Sequence, residues 1–449
     1  MLAVGEDEKE RMRFIRAAID DHKSSAMYRI AFDAEEYDRQ RNVTICRYQK
    51  FLYTLSGQAV PDNYSANYKL ASNFFNRFIT QENQYLLGNG VTLEDSKHKE
   101  TLGEDFDNKL QSMGRNALVQ GVSFGLWNLD HLDVFKLTEF VPLYDEDSGA
   151  LMAGIRFWQI DADKPLRAVL YEIDGYTDYI KPKNDDMRVN GVKRPYKLVY
   201  QKSEVCAEEC LGGENYPGFP VIPMWGNPHH QSELVGLRQS IDAYDLIKSG
   251  FANDLDDAAT IYWIINNAGG MDDLDMAKFL ERLKTVKAAA LDGDDGITAE
   301  AHTIDVPYES RVAYLQRLEH DMYKDYQALD VTSLTGGEKT TVEIKAAYQP
   351  LDNKVDQYEY CVLDFLRRLF EIVGIEDNPT FRRNQIANLS EQTQMVLMAA
   401  NYLDEEMVLK KLPWLTQEEI EDMQRRKAAE EIDRVMTAAE PEDPEELEE

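Results

Sequence analysis

A mixed α+β fold, predominantly helical, is what this sequence predicts. Three observations carry the prediction. Two long amphipathic stretches, at 232–257 and 307–330, bracket a small α/β insert. A run from Trp127 to Met224 is made of short β-rich segments, and a third long helical stretch begins near Thr341, after a loop that carries Gly336 and Gly337.

Taken in order, the segment up to about Tyr53 is polar and helical in pattern, with charged residues from Glu6 to Arg13 and a second helix around Phe32 to Arg41. Pro61-Asp62-Asn63 marks a break. From Leu70 to Leu87 the residues Phe74, Phe75, Phe78, Ile79, Tyr85 and Leu86 make one apolar face, and Gly88-Asn89-Gly90 supplies the helix stop and turn. A further helix is expected over Phe106 to Val122, stopping near Gly121 to Gly125. Strands are expected at Phe140–Tyr144, Gly154–Ile160, Arg167–Ile173, Tyr176–Lys181 and Tyr196–Lys202. Their turns are Asp145–Gly149, Asp174-Gly175 and Asn190-Gly191. The Gly- and Pro-rich residues Leu211 to Pro228 read as a connector.

In the first long helix Leu234, Leu237, Ile241, Tyr244, Phe251 and Leu255 fall three and four apart, interrupted by Lys248, with Ser232 available as N-cap. Such a helix spans roughly 39 Å. Pro307 suits the first turn of the second helix, where Tyr308, Val312, Leu315, Met322, Tyr326 and Leu329 repeat the spacing, interrupted at Glu319. Each stripe needs a neighbouring helix. The insert between them opens with a strand at Thr260–Ile265 and contains a helix at Asp273–Leu291. Lys278, Arg282, Lys284 and Lys287 make that helix locally basic, and a second strand follows near Ile297–Ile304. Pro350 should kink the third long helix, which resumes through Val355, Tyr358, Val362, Phe365, Leu366, Leu369 and Val373. A strand at Thr380–Ile386 and short helices to about Ala438 come next, then an acidic tail from Glu440 to Glu449.

With 449 residues and a hydrophobic fraction of 43%, the chain can form several domains with real cores. Nothing in it resembles a membrane span or a signal peptide, so it reads as soluble and cytosolic. Four scattered cysteines suit reduced thiols. The formal net charge of −33 argues against a protein that grips nucleic acid over a broad basic face. It is compatible with a wall past which nucleic acid slides, and equally with acidity that only keeps a surface soluble.

No catalytic constellation survives inspection. Gly336-Gly337-Glu338-Lys339-Thr340 lacks the adjacent Gly-Lys and the upstream Gly of a phosphate-binding loop. Asp292 to Asp295 lead into Gly296, where a calcium loop needs an oxygen ligand. Cys206 and Cys210 have no second ligand pair for zinc, and His229 and His230 sit in the connector as surface residues. No cofactor and no metal are expected. The loop Val331 to Thr341 reads either as a plain helix connection or as a mobile element of small hydroxylated residues and paired glycines.

The order of these elements resembles the tailed-bacteriophage portal proteins, specifically the siphophage portal family. The resemblance rests on Asn73-Phe74-Phe75-Asn76-Arg77-Phe78-Ile79 ending in Tyr85-Leu86-Leu87-Gly88, on Phe219-Pro220-Val221-Ile222-Pro223, on the Gly-Gly loop, and on Leu412-Pro413-Trp414 followed by Thr416 to Arg426. It implies a ring oligomer, typically dodecameric, at one capsid vertex of the virion, assembled in the bacterial host cytoplasm. It further implies a wing at 1–228, stem helices at 229–257 and 307–330, a clip at 258–306 and a tunnel loop at 331–341. A kinked helix with a wing strand follows at 342–386, then a crown at 387–439 and a tail at 440–449.

The resemblance places Thr332, Ser333, Leu334, Thr335, Gly336, Gly337, Glu338, Lys339 and Thr340 at the DNA channel. The basic clip residues Lys278, Arg282, Lys284 and Lys287 become docking residues for the motor or adaptor. Leu237, Ile241, Tyr244, Val312, Leu315, Met322 and Tyr326 are expected to pack between subunits, since striped rods can bury their stripes in a closed ring. The implied partners are copies of the chain, the terminase large subunit, a head-completion adaptor, the major capsid and scaffolding proteins, and double-stranded DNA passing without sequence readout. An acidic oligomeric scaffold without catalysis, or an enzyme whose site is not recognisable in the sequence, are the competing classes.

Overall fold

The computed structural model describes residues 8–54, 56–63, 65–201, 209–258, 262–266, 298–302, 308–334, 340–383, 396–402, 404, 407–409, 412, 420, 423, 425 and 426. The chain divides into two compact units, one of Met1–Ala328 with Asn353–Arg383, the other of Leu329–Asp352 with Asn384–Glu449.

The first unit opens with α1 (Glu8–Ser24) and α2 (Ala26–Asp38). Ser25 between them has extended backbone angles, and its hydroxyl accepts from Tyr28 N at 3.1 Å, so one residue ends a helix and caps the next. After α3 (Val43–Arg47) come the hairpin strands β1 (Phe51–Tyr53) and β2 (Ala59–Pro61), then α4 (Phe74–Leu87), β3 (Val91–Thr92), α5 (Ser96–Leu102) and α6 (Phe106–Gln120). The β-rich part holds β4 (Val122–Asn128), β5 (His131–Lys136), β6 (Phe140–Tyr144), β7 (Leu151–Trp158), β8 (Leu166–Glu172), β9 (Gly175–Lys181), β10 (Arg188–Val189), β11 (Lys197–Gln201), β12 (Glu209–Glu214) and β13 (Val221–Trp225). Two long helices follow, α7 (Leu234–Ala258) and α8 (Tyr308–Tyr326), with the antiparallel pair β14 (Tyr262–Asn266) and β15 (Thr298–His302) between them. The unit is completed by the second part of α9 (Thr341–Val373) and by β16 (Thr380–Phe381), which pairs with β3.

Strands β6 to β10 form an antiparallel five-stranded meander. Because side chains alternate along a strand, β8 serves two cores at once. Ala168 and Leu170 join Ile15 and Ile19 of α1 in one core, while Val169 and Tyr171 join Phe124, Phe135 and Phe140 in the other. Arg156 of β7 lies 4.3 Å from the Phe135 ring centre and 5.1 Å from that of Trp158, covering this second core.

Four of the expected strands are present in the meander as β6 to β9, with ends shifted by a few residues, while the expected strand at Tyr196–Lys202 is β11, which pairs with β12 in a separate sheet, and the fifth place in the meander is taken by the short β10. The region between α6 and the meander differs from expectation. The helix stops where expected, at Gln120 with Gly121 as its C-cap, but Gly125 lies inside β4, the middle strand of the order β13-β4-β5. A Cβ there would sit 3.0 Å from the Phe365 ring and from Leu132 Cδ1, so glycine lets α9 approach the strand. The expected connector Leu211 to Pro228 likewise contains β13, whose Pro223 is tolerated because the strand lies at the sheet edge.

In the second unit Val331–Leu334 form a 3₁₀ turn, with Asp330 accepting from Thr332 N at 2.9 Å. Thr340 and Glu343 form a reciprocal cap on α9: Glu343 accepts from Thr340 N at 3.0 Å and Thr340 Oγ1 accepts from Glu343 N at 3.3 Å. This helix runs continuously through Pro350, and the division between the units falls within it, after Asp352. Among the described residues no helix is long and apolar enough to cross a membrane.

Candidate functional site

The structure brings some of the expected site residues together and separates others. Thr332 to Leu334 sit in the 3₁₀ turn and Thr340 caps α9, so both described ends of the loop are fastened. Thr335, Gly336, Gly337, Glu338 and Lys339 lie outside the described residues, as do Lys278, Arg282, Lys284 and Lys287. His229 and His230 are exposed, with the His230 ring stacked 3.8 Å from that of Trp225.

The seven stripe residues of the long helices divide into two groups. Leu237, Ile241, Met322 and Tyr326 are fully buried within one chain, while Tyr244, Val312 and Leu315 are half-buried. The reason is that α7 and α8 pack on each other and α4 lies across them. Phe74 meets Tyr244 edge-on at 5.0 Å, and Phe78 stacks on Tyr326 at 4.9 Å. The covering of the four buried residues is supplied by their own chain. Val235, Leu255, Tyr308 and Tyr314 are the large apolar residues these helices leave exposed.

Where α4, the start of α7, the end of α8 and α9 converge, they enclose a polar junction beside a cleft of 270 Å³. Its centre is Glu82, 1% exposed, which accepts from the Tyr326 hydroxyl at 2.5 Å. Lys354 Nζ lies 2.6 Å from Glu233 Oε2 and 3.9 Å from Glu82 Oε2, and stands 4.0 Å over the Tyr326 ring. Asn227 donates to Glu233 Oε1 at 2.7 Å. The Tyr358 hydroxyl donates to Asn83 Oδ1 at 2.9 Å, and Asn83 donates to Gln111 O at 2.9 Å. Gly114 makes room for this contact, because a Cβ there would fall 2.0 Å from the Tyr358 hydroxyl.

One ammonium therefore serves two carboxylates. Burial would discharge Lys354, but Glu82 and Glu233 outweigh it and raise its pKa. Glu82, the deeper carboxylate and the farther from the cation, is raised to about 7 by burial, with Lys354 pulling it down and Glu233 pushing it up. The sequence signal for this site is a polar residue inside an apolar stripe. Glu82 follows Phe75, Phe78 and Ile79 at helical spacing, and Lys354 lies between Leu351 and Tyr358.

A second device fixes α7. Asp245, Ser249 and Asn253, four residues apart, are all buried and accept from the backbone N–H groups of Ser72 (2.9 Å), Leu70 (3.0 Å) and Tyr68 (2.7 Å). The match is geometric: four helical residues rise about 6 Å and two extended residues advance about 6.6 Å. Asn42 donates to Asp245 as well, and burial pushes the Asp245 carboxyl up. One turn earlier Asp242 accepts from Tyr37 and, at 2.7 Å, from Thr44, while Arg238 pairs with Asp33 at 2.9 Å. The arrangement is one of struts and bolts, with α7 secured to α2, to α3 and to the extended segment 68–72.

Residues 30–433 match the family described as "Phage portal protein, SPP1 Gp6-like". The portal protein of Bacillus phage SPP1 is 25% identical over 382 residues, covering 77% of this chain and 72% of that protein. The portal protein of Clostridium phage phiCD119 is 20% identical over 387 residues, covering 78% and 82%. Among solved structures, the neck of an empty GTA particle superposes with a TM-score of 0.42 and 9% identity over 75% of this chain and 88% of that one. The virion of a native gene transfer agent particle gives 0.42 and 11% over 74% and 88%. The family match takes in α7, α8 and α9 and leaves out only the two ends of the chain: this chain belongs to the SPP1 Gp6-like phage portal proteins, a family of structural phage components.

Proposed function

We propose that this chain is the subunit of a ring, a dodecamer, that forms the DNA channel at one vertex of the capsid. Double-stranded DNA passes through it when a terminase motor packages the genome and again at ejection, and the ring joins head to tail. The family match across both long helices and α9 together carries this reading. In it, α7 and α8 are the stem, residues 258–306 the clip, residues 331–341 the tunnel loop, and 387–439 the crown. The ring acts by mechanics and electrostatics, with no bond made or broken by its own residues.

Twelve copies of a chain with a formal charge of −33 make a strongly acidic assembly. Channel walls of that sign repel the phosphate backbone and offer no deep wells at which duplex would halt. The junction at Glu82, Glu233 and Lys354 suits such a part, since it ties α8 and α9, the helices that flank the tunnel loop in sequence, to the body of the subunit. Lys278, Arg282, Lys284 and Lys287 are a locally basic stretch in the acidic chain and form the docking patch for the terminase large subunit or the head-completion adaptor.

Reversing those four charges to Glu tests the docking assignment. Rings of the variant should form normally while packaging or adaptor binding is lost, and unimpaired packaging and binding would refute it. Tight binding of duplex DNA by the wild-type ring at physiological salt would contradict the sliding channel.

A further inference from the structure

The hairpin formed by β1 and β2 stands apart from both cores. Its pairing is short, Phe51 to Pro61, Leu52 to Val60 and Tyr53 to Ala59. All of its strand residues are exposed, with Phe51 at 52%, Leu52 at 48%, Tyr53 at 76% and Val60 at 44%. An isolated two-stranded ribbon is marginal in water, and apolar residues on both of its faces are a cost unless something covers them. Yet its base is held firmly. Asp62 N donates to Lys50 O at 2.9 Å, Lys50 Nζ donates to Ala66 O at 2.6 Å, and Lys69 Nζ donates to Cys46 O at 2.9 Å. That segment continues directly into the backbone that Asn253, Ser249 and Asp245 bolt to α7. The subunit thus presents an uncovered apolar ribbon from a fixed base.

A receptor of matching character lies on the long helices. Ile247, Gly250 and Asp254 of α7, with Ser310, Arg311 and Tyr314 of α8, line an open groove of 500 Å³. Gly250 leaves its floor open, since a Cβ there would meet nothing within 4 Å. Exposed Tyr308, Tyr314 and Leu255 supply apolar surface around it. The charges are complementary. Residues 41–61 contain three cations, Arg41, Arg47 and Lys50, and no carboxylate, while Arg39 just before them is paired with Glu35 and Glu36. At the groove Arg311 is paired with Asp254, while Asp256 and Glu309 are exposed.

The hairpin of one subunit cannot be the natural occupant of its own groove. At 100° per residue, Ile247, Gly250 and Asp254 lie roughly 130° around α7 from Asp245, Ser249 and Asn253, which carry the hairpin's base. Two complementary patches on different faces of one chain make a head-to-tail contact, the kind that closes into a ring. We propose that the β1–β2 hairpin of each subunit docks into the groove between α7 and α8 of the next copy. This inference rests on the ring reading and gives it a contact surface.

Cross-linking tests the contact. In a background with Cys46, Cys206, Cys210 and Cys361 all changed to Ser, Tyr53→Cys and Tyr314→Cys are combined and treated with a short bismaleimide. A ladder of covalent oligomers is expected from the double variant, dimers only from a mixture of the two single variants, and neither from a single variant alone. A second measurement uses Leu52→Asp with Tyr53→Asp, which should raise the subunit concentration for half-assembly at least about tenfold and leave the thermal melt of the dissociated subunit unchanged. Rings of the double-cysteine variant that give no ladder, or a double-aspartate variant that assembles like wild type, would overturn the hairpin contact alone. A wild-type chain that stays monomeric at all concentrations would overturn the ring reading with it.

Discussion

Glu82 shows how a single buried carboxylate sets the chemistry of the junction. In the unfolded chain it titrates near the ordinary 4.5, and in the folded chain at about 7 because burial outweighs the help of Lys354. Between these values the folded state holds a proton that the unfolded state has released. Its contribution to stability is therefore fully present below pH 4.5 and is lost as pH rises through about 7. The loss amounts to about 3 kcal/mol. Comparing Glu82→Gln with wild type by denaturant unfolding from pH 5 to 8 should show a difference that changes by about this much, and a pH-independent difference would refute the assignment. Lys354→Met should destabilise the subunit by about 3–5 kcal/mol, since it leaves two buried carboxylates without their cation. Glu82 and Lys354 were legible only as interruptions of apolar stripes. A stripe shows that a position is buried but not which distant side chain meets it there, and Glu82 finds its partners at positions 233, 326 and 354.

At the scale of elements, what the sequence carries well is local periodicity. The long helices, α4 and the meander strands β6 to β9 were each readable from spacing and turn residues, because those signals are contained within a few turns of chain. What it carries poorly depends on distant neighbours. Gly125 looks like a helix stop and is a strand residue against Phe365, and Pro223 looks like a loop residue and occupies an edge strand. The ladder of Asp245, Ser249 and Asn253 was hidden for the same reason: its partners are backbone N–H groups more than 170 residues away. Asp245→Ala removes the acceptor from two buried donors, Ser72 N and Asn42, and should cost about 2–4 kcal/mol. Amide exchange across 68–72 should accelerate in this variant while exchange in β7 and β8 stays as it is. Unchanged protection at 68–72 would show that packing, not the ladder, holds that segment to α7.

Viewed whole, the subunit combines a β-rich body that has its own two cores with long helices that keep part of their apolar surface uncovered. The burial of Leu237, Ile241, Met322 and Tyr326 within one chain means that assembly does not require those residues to meet their counterparts on a neighbour. In the proposed ring, association falls instead to residues that are exposed in the single chain, Leu255, Tyr308 and Tyr314 on the helices and Phe51, Leu52 and Tyr53 on the hairpin. Strong like charge opposes such association at low salt and is screened over about 10 Å at 0.1 M ionic strength, so rings should be favoured as salt rises. Electron microscopy of the purified chain at moderate salt is the most direct test of the ring. Closed rings with rotational symmetry and a central channel lined mainly by acidic residues are the expected result. A compact single copy, or a ring whose channel is mainly basic, would contradict it.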